Sequence, residues 1–80
     1  NYPNPFNPTT TIEFALPKAE QVKLTIFDIL GRQVTTLIDK RMEAGQHSVT
    51  FDASRFATGV YFYNLQTSDF VETKKMMLLK

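Results

Sequence analysis

His47 is the single histidine of this 80-residue chain, and there is no cysteine. A zinc site draws its ligands mainly from those two residue types, so His47 has no companions with which to build one and reads as a surface histidine at the start of a strand. Ser48, Ser54 and Ser68 are the serines a hydrolase would call on. Only Ser48 adjoins His47, and strand alternation points neighbouring side chains to opposite faces, so the pair does not form a nucleophile and its base. The eight carboxylates are scattered singly, and a glycosidase pair would have to be assembled across the loops of a domain with little room for a cleft. Asp28, Asp52 and Asp69 fall at strand ends, where a calcium ion could bridge them, but no Asp-x-Asp-x-Asp spacing supports it; turn and capping roles fit better. Three tyrosines and seven phenylalanines could stack on sugar rings, although tryptophan is absent and most of the rings alternate as a core requires. The chemistry-bearing residues therefore point away from catalysis, cofactors and metals, and leave a carbohydrate-binding surface as the alternative reading.

Eighty residues make one domain with a thin core, in which about 60 to 65% of the unfolded chain's surface can be buried. Apolar residues make up 42% of the chain, an ordinary globular fraction that argues against disorder. Nine Lys and Arg against eight Asp and Glu leave a formal charge of +1, too little and too scattered to bind nucleic acid by counterion release. No apolar run exceeds four residues, which excludes a transmembrane helix and a secretory apolar segment alike. The chain begins at Asn1 rather than Met and is expected to be a piece of a longer secreted protein, with any signal peptide upstream.

The strand that organises the rest is expected at Gly59 to Leu65, where β-branched and aromatic residues put apolar groups on both faces. Tyr61, Tyr63 and Leu65 are expected inward, with Val60 and Phe62 partly covered. Asn1 to Pro8 holds three of the four prolines and reads as an extended lead-in pinned by Tyr2 and Phe6. Thr9 to Leu16 alternates with Ile12, Phe14 and Leu16 inward; Gln21 to Asp28 repeats this with Val22, Leu24 and Ile26. Gly31 supplies the positive φ of a tight hairpin loop with a bulge, and Gln33 to Asp39 returns as a bulged or short edge strand. A polar turn runs to Gln46 around Met42, which could carry a further short strand. Gln46 to Asp52 follows with Val49 and Phe51 inward. Phe56 plugs the next loop, wound into one helical turn capped by Asp52. The spacing of Phe56, Gly59, Tyr61 and Tyr63 is that of a tyrosine corner, in which the Tyr61 hydroxyl bonds back to the upstream loop. Gln66 to Asp69 is a polar hairpin, and Phe70 to Lys80 is the final strand. Six to seven strands with turn signals between them predict an immunoglobulin-like antiparallel β-sandwich, with Ile12, Phe14, Leu24, Ile26, Val49, Phe51, Tyr61, Tyr63 and Leu65 in one core.

Five features in order, Tyr2-Pro3-Asn4-Pro5, Asp28-Ile29-Leu30-Gly31-Arg32, Gly45, Gly59-Val60-Tyr61 and the lysine-bearing tail, resemble the type A C-terminal sorting domains of the type IX (Por) secretion system. The resemblance spans the whole chain. It implies a folded export signal at the end of a secreted cargo protein, recognised by the outer-membrane type IX translocon after passage through the periplasm. A surface sortase then commonly removes such a domain and joins the cargo to a lipopolysaccharide anchor; a retained domain would attach the cargo to the cell. By position, the resemblance makes Gly59, Val60, Tyr61, Lys75 and Lys80 the recognition elements, and Tyr2, Pro3, Asn4, Pro5, Asp28, Gly31 and Gly45 the structural motif. The chain departs from the commonest pattern at Phe6-Asn7-Pro8, at Phe56 where leucine is frequent, and in its single terminal lysine. The alternative remains a carbohydrate-binding accessory module of a secreted glycoside hydrolase.

Overall fold

A computed structural model describes residues 9–78. These form six strands: β1 (Thr9–Leu16), β2 (Glu20–Asp28), β3 (Gln33–Met42), β4 (Gly45–Asp52), β5 (Gly59–Gln66) and β6 (Val71–Leu78). All pairings are antiparallel, in a two-stranded sheet β1-β4 and a four-stranded sheet β3-β2-β5-β6. The described residues contain no helix. The chain is thus an all-β sandwich of immunoglobulin-like type. Tyr2, Pro3, Asn4, Pro5 and Lys80 lie outside the described residues.

Alternation builds the core. Ile12, Phe14 and Leu16 of β1 face Val22, Leu24 and Ile26 of β2 across the sandwich, and the three β2 side chains are fully buried. β4 adds Phe51, β3 adds Ile38, β5 adds Tyr61 and Leu65, and β6 closes the core with Leu78. β5 pairs with β2 on one side and β6 on the other, the central position expected from its two apolar faces. Between Asp52 and Gly59 the chain makes a turn closed by Phe56 N–H donating to the Ala53 carbonyl at 3.0 Å. The half-buried Phe56 ring rests on Phe51 and meets Tyr61 edge-on, with centroids 5.5 and 6.5 Å apart. The Tyr61 hydroxyl donates to the Ala57 carbonyl at 2.8 Å, so the tyrosine corner is present.

Several expectations need correction. β3 is no short strand: it runs ten residues and takes Met42 as its last, so no seventh strand forms there among the described residues. Its bulges fall where β2 shifts register, between Leu24 and Thr25 and between Ile26 and Phe27, which absorbs the slip in its apolar pattern. The 53–56 turn does not wind into a helix, and Asp52 accepts instead from the Ser54 N–H at 2.9 Å. Val49 and Tyr63 pack against the core but stay half-exposed: Tyr63 because two strands cannot cover a sheet of four, and Val49 because β4 is an edge strand of the small sheet. Glu20, one residue ahead of the strand expected from Gln21, opens β2 and is buried; its Oε1 accepts from the Ser68 hydroxyl at 2.9 Å, tying the β5–β6 turn to β2. β6 begins at Val71 rather than Phe70, since Phe70 donates its N–H to Thr67 Oγ1 within the preceding turn.

The corner bond supplies a test of how β5 is fixed. Tyr61→Phe keeps the buried ring and deletes only the hydroxyl, so urea denaturation is expected to show a loss of about 1 kcal/mol. An unchanged midpoint would mean that the bond contributes nothing to positioning the strand.

Candidate functional site

The register between β2 and β5 decides what stands next to what. Asp28 is opposite Tyr61 and Phe27 opposite Phe62, so the Asp28-to-Arg32 turn sits beside the Gly59-to-Tyr61 entry of β5 at one end of the large sheet. β6 extends the same end, with Val60 opposite Met77 and Phe62 opposite Lys75. Tyr61 and Leu65 point into the core, and alternation therefore places Val60 and Phe62 on the outer face together with their partners Met77 and Lys75. The structure thus brings Asp28, Gly31, Gly59, Val60, Tyr61 and Lys75 to one end. It places Gly45 elsewhere, opposite Leu16 in the small sheet, toward the Glu20 end of β2.

The turn is held by a dense set of bonds. Asp28 Oδ1 accepts from the N–H groups of Leu30 and Arg32, each at 2.9 Å, and Oδ2 accepts from Arg32 Nε at 2.8 Å. Gly31 N–H donates to the Asp28 carbonyl, Asp28 N–H donates to the Arg32 carbonyl, and Gly31 takes φ +83°, a left-handed conformation that most side chains resist. The backbone N–H of Arg32 is the main reason that the Asp28 carboxyl titrates below its ordinary range, with the Arg32 side chain and the Leu30 N–H adding to it. Asp52 is lowered in the same way by the N–H of Ser54 and by its hydroxyl. Both aspartates thus serve turns, as their positions suggested, while Asp69 pairs with Lys18 at 3.2 Å. No three His, Cys, Asp or Glu side chains cluster to hold a metal among the described residues. His47 donates from Nε2 to the Glu43 carbonyl at 2.7 Å and packs on Phe14, a structural role at the small sheet.

Beside the turn lies a shallow recess of about 230 Å³, walled by Asp28 to Leu30, Arg32 and Ala57 to Tyr61. A larger recess of about 360 Å³ opens at the other end, between Gln21, Lys23, Asp39 and Gln66 to Ser68, and holds none of the motif residues. Lys74 and Lys75 are exposed, and among the described residues neither pairs with a carboxylate. Sequence reasoning missed Ile29 and Leu30, which stand 66% and 73% exposed at the tip of the turn. The available signal was two branched apolar residues between an aspartate and a glycine, where turns usually carry polar ones.

The described residues thus form a β-sandwich with shallow recesses, Asp28 and Asp52 committed to turns, and one end carrying exposed apolar and cationic groups. A family model for the secretion system C-terminal sorting domain matches residues 1–79. The chain belongs to that family, whose domains are sorting signals for type IX secretion rather than catalysts. Its function is accordingly to direct an N-terminal cargo to the secretion machinery and to the cell surface. No curated protein and no solved structure matched the chain.

The Asp28 bonds predict a pH dependence. A carboxyl with a lowered folded-state pKa contributes stability that is present above its unfolded value of about 3.9 and is lost as pH falls through the folded value. Asp28→Asn is therefore expected to melt at a lower temperature at pH 7, with the gap to the parent closing as the pH drops below about 4. A gap that stayed constant down to pH 2 would contradict the assigned role of the carboxylate.

Proposed function

We propose that the outer-membrane type IX translocon reads the end of the folded domain formed by Gly59, Val60, Tyr61 and Lys75, together with Lys80, which lies outside the described residues. The observation that carries this reading is the Asp28–Tyr61 register, which sets two sequence-distant motifs side by side at one end of the large sheet, with Val60 and Lys75 on its outer face and Lys75 without a carboxylate partner among the described residues. Recognition of a folded surface also fits the turn's bonding, because a preorganised surface loses little entropy on docking. On this reading residues 1–80 are the C-terminal domain of a longer cargo that crosses the periplasm before export. A surface sortase removes the domain and anchors the cargo, or the retained domain attaches the cargo to the cell. No finding favours a carbohydrate-binding module: Tyr61 is buried, and Tyr63 turns toward the core side.

Fusing the 80 residues to the C-terminus of a periplasmic reporter is expected to bring the reporter to the surface of a host carrying the type IX translocon, and to leave it in the periplasm of a host lacking it. The double substitution Lys75→Ala and Lys80→Ala is expected to change stability by no more than about 0.5 kcal/mol and to export poorly. Normal export of that variant would refute the lysine assignment. Failure of the unmutated fusion to reach the surface would refute the translocon reading.

A further inference from the structure

Among the described residues four large hydrophobic side chains stand in solvent: Ile29, Leu30, Met77 and Val71. Three of them gather at the motif end of the large sheet, and Val71 lies at the opposite end of β6. Exposed apolar groups scattered singly are ordinary, but a group of them on an ordered platform marks a contact surface. Ile29 and Leu30 cannot fold back by loop rearrangement, because Asp28 fixes the N–H groups of Leu30 and Arg32 and Gly31 completes the tight turn. They are held out into water.

We propose that Ile29 and Leu30 form a preformed apolar knob that inserts into an apolar pocket of the exporting machinery, a pocket rimmed by carboxylate that meets Lys75. This rests on the translocon reading above and names the contact through which that partner selects the domain. Charge decides between occupants. Arg32, the nearest cation, is neutralised by Asp28 at 2.8 Å, which leaves Lys75 as the one unpaired cation at this end of the outer face among the described residues, and a single lysine gives little attraction to an anionic lipid surface, where binding takes a cluster of them. Lys75 stands two strand spacings from β2, roughly 10 Å, with no carboxylate paired to it among the described residues. A second copy docked through the same face would bring two such ammoniums into one interface with nothing to pair them. A protein pocket with an acidic rim satisfies both the apolar tip and the unpaired charge.

The test uses the reporter fusion in the translocon-bearing host. Ile29→Ser combined with Leu30→Ser changes exposed side chains and leaves the turn's backbone bonds in place, so its melting temperature is expected to match the parent. Surface reporter is expected to fall at least tenfold, while Val71→Ser, an equally apolar exposed site at the far end, exports as the parent does. If the double variant melts early, the single change Leu30→Gln carries the same test with the same criterion. Ile29→Met with Leu30→Met, which keeps the tip apolar, is expected to restore export. Parental export by the folded serine variant overturns the proposal, as does an equal loss in Val71→Ser. Flotation of the free domain with phosphatidylethanolamine–phosphatidylglycerol vesicles would assign the knob to lipid, and sedimentation as a dimer would assign it to a second copy; either result overturns it. An unmutated fusion that fails to export removes the translocon reading and the knob together, an outcome separate from loss in the variant alone.

Discussion

β2 and β5 pair without a slip from Lys23–Gln66 to Asp28–Tyr61, and every other strand of the large sheet is placed by one of these two. β3 attaches to β2 through two register shifts, and β6 attaches to β5 through none. The pairing also sets the inner face, where Leu24 meets Leu65 and Ile26 meets Tyr63, and so fixes the surface against which β1 and β4 lay Ile12, Phe14, Leu16 and Phe51. A slip of one residue would turn these side chains to the wrong face, which makes the register a property of the core rather than of the turns alone. The proposed recognition end inherits it: Asp28 and Tyr61 are neighbours because Leu24 and Leu65 are.

Two strands over four leave the sandwich unequal, and the inequality shapes function. The small sheet buries the middle of the large one and lets Tyr63, Met76 and Phe70 remain half-exposed. Among the described residues no second layer covers the outer face, so Phe27, Val60, Phe62 and Met77 are screened there only by their neighbours on the sheet. The motif end of that face is also where five hydrogen bonds hold the Asp28-to-Arg32 turn. Order and apolar exposure coincide there, which is the combination a docking partner needs.

Most of the fold was legible because period-two alternation survives in Thr9–Leu16, Glu20–Asp28 and Gly59–Gln66. The tyrosine corner could be read from the Phe56, Gly59, Tyr61 spacing, since few geometries let a core tyrosine reach the chain four residues upstream. β3 was read too short because its last residues before Met42, Asp39-Lys40-Arg41, are polar and charged and resemble a turn, although they pair in unbroken register with β2. Buried Glu20 escaped notice because its partner, Ser68, is 48 residues away and nothing local announces it. The candidate site was only partly legible. Gly59, Val60, Tyr61 and Lys75 came from resemblance, but their adjacency to the Asp28 turn depends on a strand pairing that no local pattern encodes.

The central claim is that the export signal is a folded surface fixed by the β2–β5 register. Thr25 and Asn64 are directly opposite on the outer face, and the chain has no cysteine of its own, so Thr25→Cys with Asn64→Cys offers a clean lock. The account predicts that the pair oxidises to one intramolecular disulfide and that the reporter fused to the locked domain still reaches the cell surface. Failure to cross-link would contradict the register. A cross-linked domain that stays in the periplasm would contradict recognition of the folded surface.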